Sequence, residues 1–137
     1  LRGALDAAAQ AAAEAGAAVA RLAGVGVLAV FGLAQPSADD ALRAVAAARA
    51  ARRAVRAQGG LDVRAAVETG PVLAASQGGL ELAALGPTAE LVERMVAAAA
   101  RGEILAGPTA GPASGLARAR ALAVGGAQVE VFSPAPE

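Results

Sequence analysis

The stretch "RLAGVGVLAVFG", Arg21 to Gly32, decides how the rest of the chain is arranged. Two short apolar runs, Val19–Ala23 and Val27–Phe31, flank Gly24-Val25-Gly26. β-Branched and aromatic residues favour extended backbone, and paired glycines supply the dihedrals of a tight reversal. The segment therefore predicts a β-hairpin. Its tip carries no polar side chain: where a phosphate-handling turn places an acid, Val25 offers only hydrocarbon.

Upstream, "ALDAAAQAAAEAGAA" (residues 4–18) predicts a helix from alanine propensity, packed closely through small side chains. Downstream, "QPSADDALRAVAAARAARRAVRAQGG" is the clearest helix of the chain. Ser37 precedes Asp40 by three residues, a capping box with Asp in place of Glu. Acids at its start and arginines at its end suit the helix dipole, and Gly59-Gly60 stops it. Arg49, Arg52, Arg53 and Arg56 share one face. That face is either an anion- or partner-binding stripe or a solvated surface complementing the dipole, and the solvated surface is the expectation. Ala44, Ala47, Ala48, Ala51 and Val55 form the opposite, thin face, which suits packing on a sheet.

"LDVRAAVETGPVLAAS" predicts a strand over Leu61–Glu68, a turn at Thr69-Gly70-Pro71 and a second strand. Glu68 reads as a strand-end carboxylate in solvent. "LELAALG" is a third short strand. Gly86-Pro87 opens another helix, with proline where a missing amide hydrogen costs least, and Leu91, Val92, Met95 and Val96 form its buried stripe. Glu103–Ala106 is a brief strand, "GPTAGPASG" a loop or short helix, and Ala119–Val124 and Gln128–Phe132 the last strands. Residues 133–137 form a Pro-rich tail. The order predicts a single α+β sandwich with helices on one face of a mainly antiparallel sheet.

Composition removes several function classes. The 137 residues balance 12 basic against 12 acidic groups, every base is arginine, and aromatics are 1%. Neither a global positive field nor a base-stacking platform is present, so nucleic acid is not an expected partner. Without cysteine or histidine there is no disulfide, no Cys/His zinc site and no histidine general base. The most apolar run, Leu22 to Ala34, is too short to span a bilayer as a helix, and no signal segment opens the chain. A cytoplasmic location is expected. The chain starts at leucine, so it is expected to be a piece of a longer protein with covalently attached domains.

The ordered segments together resemble the class III adenylyl/guanylyl cyclase homology domain, over roughly residues 4–133. "GVGVLAVFG" is similar to the family's Gly-Asp-Gly hairpin, and "DDALRAVAAA" to the helix that follows in bacterial members. "VRAAVETGPVLAA" resembles the strand pair ending Thr-Gly-Pro-Val, and "LGPTAELVERM" the family's Gly-Asp-Thr-Val-Asn-Leu-Ala-x-Arg-Leu helix. "ARGEILAGPTA" and "AQVEVFSP" resemble later segments. The resemblance implies a ferredoxin-like cyclase sandwich. It also implies that the family's first central strand, which ends in a metal-binding aspartate, is missing here, leaving the domain N-terminally incomplete by trimming.

In the family, two aspartates hold two divalent cations while a 3′-hydroxyl closes onto the α-phosphate at a dimer interface. A lysine and a polar partner read the base, and an asparagine and an arginine four residues apart position ribose and stabilise charge. Matched to those positions, this chain carries Val25 at the second metal aspartate, Arg21 at the lysine, Ala83 at its partner and Glu90 at the asparagine. Arg94 alone is retained. Asp39 and Asp40 begin a helix and serve as caps, and Pro87 replaces a capping aspartate. Glu90, four residues before Arg94, repels a triphosphate and is expected to pair with that arginine.

The resemblance thus implies a degenerate member, with Arg94 vestigial, Arg21 and Glu90 as substituted substrate positions, and no metal or cofactor. Its expected role is a catalytically inactive dimerisation or regulatory module whose partner is another cyclase-like domain, identical or paralogous. Two alternatives stand beside it: one half of a heterodimeric cyclase that donates Arg94 to a partner's site, and a non-catalytic nucleotide sensor.

Overall fold

The computed structural model describes residues 2–22, 26–32, 36–59, 61–70, 73–77 and 81–135, with backbone alone at 2, 21, 22, 73–77 and 81–85. Helix α1 (Arg2–Glu14) ends before Gly16 instead of reaching residue 18. Gly16 takes a positive φ of 97°, its N–H donates to the Ala13 carbonyl at 3.0 Å, and the Ala17 N–H to the Ala12 carbonyl at 3.1 Å. This paired closure satisfies carbonyls at the helix end and turns the chain into the first strand.

Strands β1 (Ala18–Leu22) and β2 (Gly26–Val30) form the antiparallel hairpin, in register from Ala18↔Val30 to Leu22↔Gly26. The tip, residues 23–25, lies outside the described residues, and so does the side chain of Val25. Helix α2 (Asp40–Arg56) starts two residues later than a Ser37 cap would place it: its N-cap is Asp39, which makes no side-chain cap bond. Ser37 instead braces the turn before the helix: its Oγ accepts the Asp39 N–H at 3.2 Å, and its own N–H donates to Asp40 Oδ2 at 2.9 Å.

Strand β3 (Ala65–Val67) is shorter than the expected Leu61–Glu68, because its ladder to β6 (Ile104–Ala106) has three pairs, Ala65↔Ile104 to Val67↔Ala106. This pair is parallel. A parallel pair needs a long crossover, supplied by the β4–β5 hairpin (Leu73–Gln77 and Glu81–Leu85) and helix α3 (Pro87–Ala98). Helix α4 (Ala110–Ala113), one turn long, resolves the "GPTAGPASG" segment. Strands β7 (Ala117–Val124) and β8 (Ala127–Ser133) finish a four-stranded sheet in the order β3-β6-β8-β7, and all other strand pairs are antiparallel. Ser133, at the head of the expected tail, is the last residue of β8, and Pro134 is buried.

The α+β architecture is as expected, but the helices divide between the two faces of this sheet. Consecutive strand residues point to opposite faces, and here both faces are apolar. Met95 and Ala99 at the end of α3 pack with Leu105, Val131, Ala66, Leu91, Leu122 and Val129. The next residue along each strand serves the other side, where Ala106, Val67 and Phe132 meet Ala41 of α2, Ala110 of α4 and Leu116. Met95, Ile104, Leu105 and Val131 are fully buried. With so few large side chains, closeness is achieved through alanine and glycine. A Cβ at Gly111 would strike the Phe132 ring. Among the described residues, no helix is long and apolar enough to cross a membrane.

Candidate functional site

The positions singled out by the sequence fall on three adjoining elements. Arg21 lies on β1, paired with Val27, and Ala83 on β5, paired with Ala75. Glu90 and Arg94 lie on α3. Strand β5 contacts both β1 and α3, so the fold does bring these elements together. The side chains of Arg21 and Ala83, like Val25, lie outside the described residues.

Glu90 and Arg94 do not pair. Both are exposed, and no ion pair joins them among the described residues. The Arg94 guanidinium instead reaches the β7–β8 turn, where its Nη1 lies 2.9 Å from the place a Cβ would occupy on Gly125. The expected exchange of about 0.3–0.5 kcal/mol between exposed helix neighbours is too small to outweigh a side chain's freedom to extend elsewhere. Arg94 is therefore displayed at the surface, not held by its own helix.

The acidic side chains show whether this region suits two divalent cations. Such ions need several hard oxygen ligands gathered in one place. Among the described residues no group of three potential ligand side chains occurs. Asp40 is engaged by the Ser37 N–H and by Arg43, whose Nη1 lies 3.3 Å from Asp40 Oδ1. Arg43 also donates to the Ala15 carbonyl at 3.1 Å and stacks its guanidinium 5.6 Å from the Phe31 ring centroid. It thereby joins the end of α1, the end of β2 and the start of α2, and it complements the carbonyl end of α1. On the sequence match, the residues present do not fit the family's metal pair: Val25 has no ligand oxygen, and Asp39 and Asp40, the first acids after it, belong to the entry of α2.

Glu68 corrects the expectation of a solvated strand end. It is half-buried, and its Oε1 accepts the Thr69 N–H and the Ala110 N–H, both at 2.8 Å, while Oε2 accepts the Thr109 N–H at 3.4 Å. Thr109, the N-cap of α4, makes no side-chain cap bond, so a carboxylate 42 residues away satisfies the orphan donors instead. Gly107 makes this possible, since a Cβ there would overlap the Glu68 carboxylate.

The arginine stripe of α2 is a solvated face only in part: Arg53 and Arg56 are exposed, whereas Arg49 is half-buried and Arg52 buried. Arg52 is only 6% exposed and donates Nη1 to the Gly102 carbonyl at 3.0 Å. Arg56 Nε donates to Asp62 Oδ1 at 3.1 Å. The stripe faces the loop after α3 and the end of β8. Glu103 and Arg120, which the sequence did not single out, form a bidentate pair at 2.6 and 2.8 Å. Hydrogen bonding by Arg120 holds the Glu103 carboxyl below its ordinary value, the Ala100 N–H helps, and partial burial opposes both. Only contacts remote in sequence reveal these partners. The local signal for Glu68 was the uncapped Pro108-Thr109 helix start, which requires an acceptor from somewhere.

No protein-family model matches the sequence, and no curated protein matches it. Solved structures do match. The adenylyl cyclase CyaB from P. aeruginosa superposes with a TM-score of 0.79 at 21% identity, covering 99% of this chain and 80% of that one. The guanylate cyclase domain of RhGC from Catenaria anguillulae, solved in complex with GTP, gives 0.75 at 19% identity, covering 91% and 75%. The non-canonical dimeric guanylyl cyclase domain of the RhoGC fusion protein from Blastocladiella emersonii gives 0.72 at 16% identity, covering 96% and 82%. The chain has the fold of these cyclase domains.

Proposed function

We propose that this chain is a cyclase-fold domain that does not turn over nucleotide by itself and serves as a dimerisation and regulatory module. One observation carries the reading: the chain has a cyclase fold, yet the positions that the sequence resemblance matches to metal, base and ribose carry Val25, Ala83 and Glu90. Valine and alanine offer neither ligand oxygen nor hydrogen bond, and a carboxylate opposes a polyphosphate. The described carboxylates Asp40, Glu68 and Glu103 support the reading, since each is engaged by backbone amides or an arginine. A second copy would bring the same substitutions, so a homodimer would contain no complete site. A structural neighbour that is a non-canonical dimer supports association between domains of this fold.

The exposure of Arg94 favours a second reading. An arginine not held by Glu90 can reach across an interface and stabilise charge in a partner's site. One assay separates the two. Purified chain is incubated with manganese and ATP or GTP, alone and mixed with a cyclase domain that keeps both aspartates but lacks the retained arginine. No cyclic nucleotide in either mixture supports the regulatory module. Product in the mixture only, lost on Arg94→Ala, establishes the half-site enzyme. Product from the chain alone overturns both.

A further inference from the structure

Building on the dimerisation reading, we infer that the exposed face of α3 is a self-complementary docking surface for a second copy of this chain, with Glu90 of each copy paired to Arg94 of the other. Helix α3 (Pro87–Ala98) divides by exposure. Leu91, Met95 and Ala99 pack on the sheet, whereas Pro87, Glu90, Arg94 and Ala97 are exposed. At 3.6 residues per turn, Glu90, Arg94 and Ala97 fall within about 60° of one another, with Pro87 beside them. The opposite charges on this face are not used within the chain. Glu90 and Arg94 have the spacing that favours an intrahelical ion pair, yet among the described residues neither has an ion-pair or hydrogen-bond partner.

Charge and symmetry select the occupant. In a two-fold pair, residue i of one copy meets j of the other and j meets i. When two α3 helices run antiparallel about an axis at Val92, Glu90 of each copy lies opposite Arg94 of the other, and both ion pairs form together. Pro87 then faces Ala97, and neither adds charge or a long side chain between axes about 8–10 Å apart. A parallel pair would set Glu90 against Glu90 and Arg94 against Arg94, so charge fixes the orientation as well. Glu93 lies about 60° to the side of Glu90, at the rim, where water and salt screen it from its counterpart. The β7–β8 turn leaves Arg94 accessible: its guanidinium extends over Gly125, where a Cβ would lie 2.9 Å from Nη1. One helix face from each copy buries less than a standard interface of about 1,600 Å², so the association is weak.

The test is sedimentation equilibrium of the full 137-residue chain at up to about 1 mM. A monomer–dimer equilibrium that weakens with added salt is expected. Glu90→Arg and Arg94→Glu should each weaken it about tenfold or more, because each sets like charges opposite one another. The double swap Glu90→Arg/Arg94→Glu should restore it to within about threefold, and mixing the two single variants should give a heterodimer. Both rescues exclude a folding defect as the cause of the loss. Glu14→Arg, the same charge reversal on the exposed end of α1, should change association by no more than about twofold. A dimer indifferent to both single reversals, or one that neither the double swap nor the mixture restores, would overturn this surface and leave the dimerisation reading standing. A chain that stays monomeric throughout would overturn both.

Discussion

The four-stranded sheet and the two hairpins beside it are built to different standards. Among the described residues the largest fully buried side chains, Met95, Ile104, Leu105 and Val131, all lie in the sheet region, which has apolar contacts on both faces. In the hairpin region all five residues of β2 are only half-buried, and β1–β2 and β4–β5 are two-stranded ladders outside the main sheet. The positions matched to cyclase chemistry lie on the hairpins and on the exposed side of α3. Met95 and Arg94 are neighbours on one helix, yet one is fully buried and the other exposed. The contrast teaches that the packing which specifies this fold does not depend on the side chains that the chemistry requires. A chain can lose the second while keeping the first.

The largest effect that sharpens the contrast is expected at that adjacent pair. Met95→Ala should cost about 2–5 kcal/mol in urea denaturation, because it leaves a cavity among Leu105, Val131 and Leu91. Arg94→Ala, one position earlier, should change stability by no more than about 0.5 kcal/mol. Comparable losses at both would show that the site face is part of the core. Next is Gly107→Ala, which forces a methyl group into the Glu68 carboxylate and should cost about 1–3 kcal/mol. Glu68→Ala should cost about 1–2 kcal/mol by leaving the Ala110 and Thr69 amides without their acceptor. Adding Gly107→Ala to Glu68→Ala should then cost less than it does in the wild type, since the clash has gone; strict additivity would contradict the placement.

The smallest expected effect is a pH dependence. The folded Glu103 carboxyl sits below its ordinary value, chiefly through the Arg120 hydrogen bonds. Its contribution is therefore fully present above the ordinary glutamate range near pH 4.3 and disappears as the pH falls through the lowered folded value. The pair is partly exposed, so Glu103→Gln should cost only about 1 kcal/mol at neutral pH. Denaturant midpoints of wild type and Glu103→Gln should converge on acidification. A gap that persists or widens at about pH 2–3 would reverse the sign.

Much of the fold was legible because its signals are local. The apolar runs around Gly24-Val25-Gly26 gave the first hairpin, the Ser37/Asp40 spacing put the entry of α2 two residues too early, and Leu91, Val92, Met95 and Val96 gave the apolar face of α3. The two-sided sheet was harder to read. Alanine at Ala66 and Ala106 hardly distinguishes a buried from an exposed strand position, so periodicity gave no reason to put helices on both faces. Glu68, Arg43, Arg52 and Glu103 were misjudged or missed for another reason. Beside near neighbours such as Asp40, Thr69 and Ala100, each has a partner from 17 to 50 residues away, and sequence spacing does not show such contacts. The expected Glu90–Arg94 pair failed oppositely: its spacing was favourable, but exposed ion pairs are too weak for spacing to decide them.

The proposed chemical silence of the hairpin tip is tested most directly by titrating manganese into isotopically labelled chain with a non-hydrolysable ATP analogue while recording amide spectra. A bound paramagnetic ion broadens only nearby signals. If the tip cannot hold a divalent cation, the amides of residues 21–32 should broaden no more than those of the exposed β7–β8 turn. Selective broadening centred on Val25, saturating with metal, would contradict the proposal that this fold persists here without its metal site.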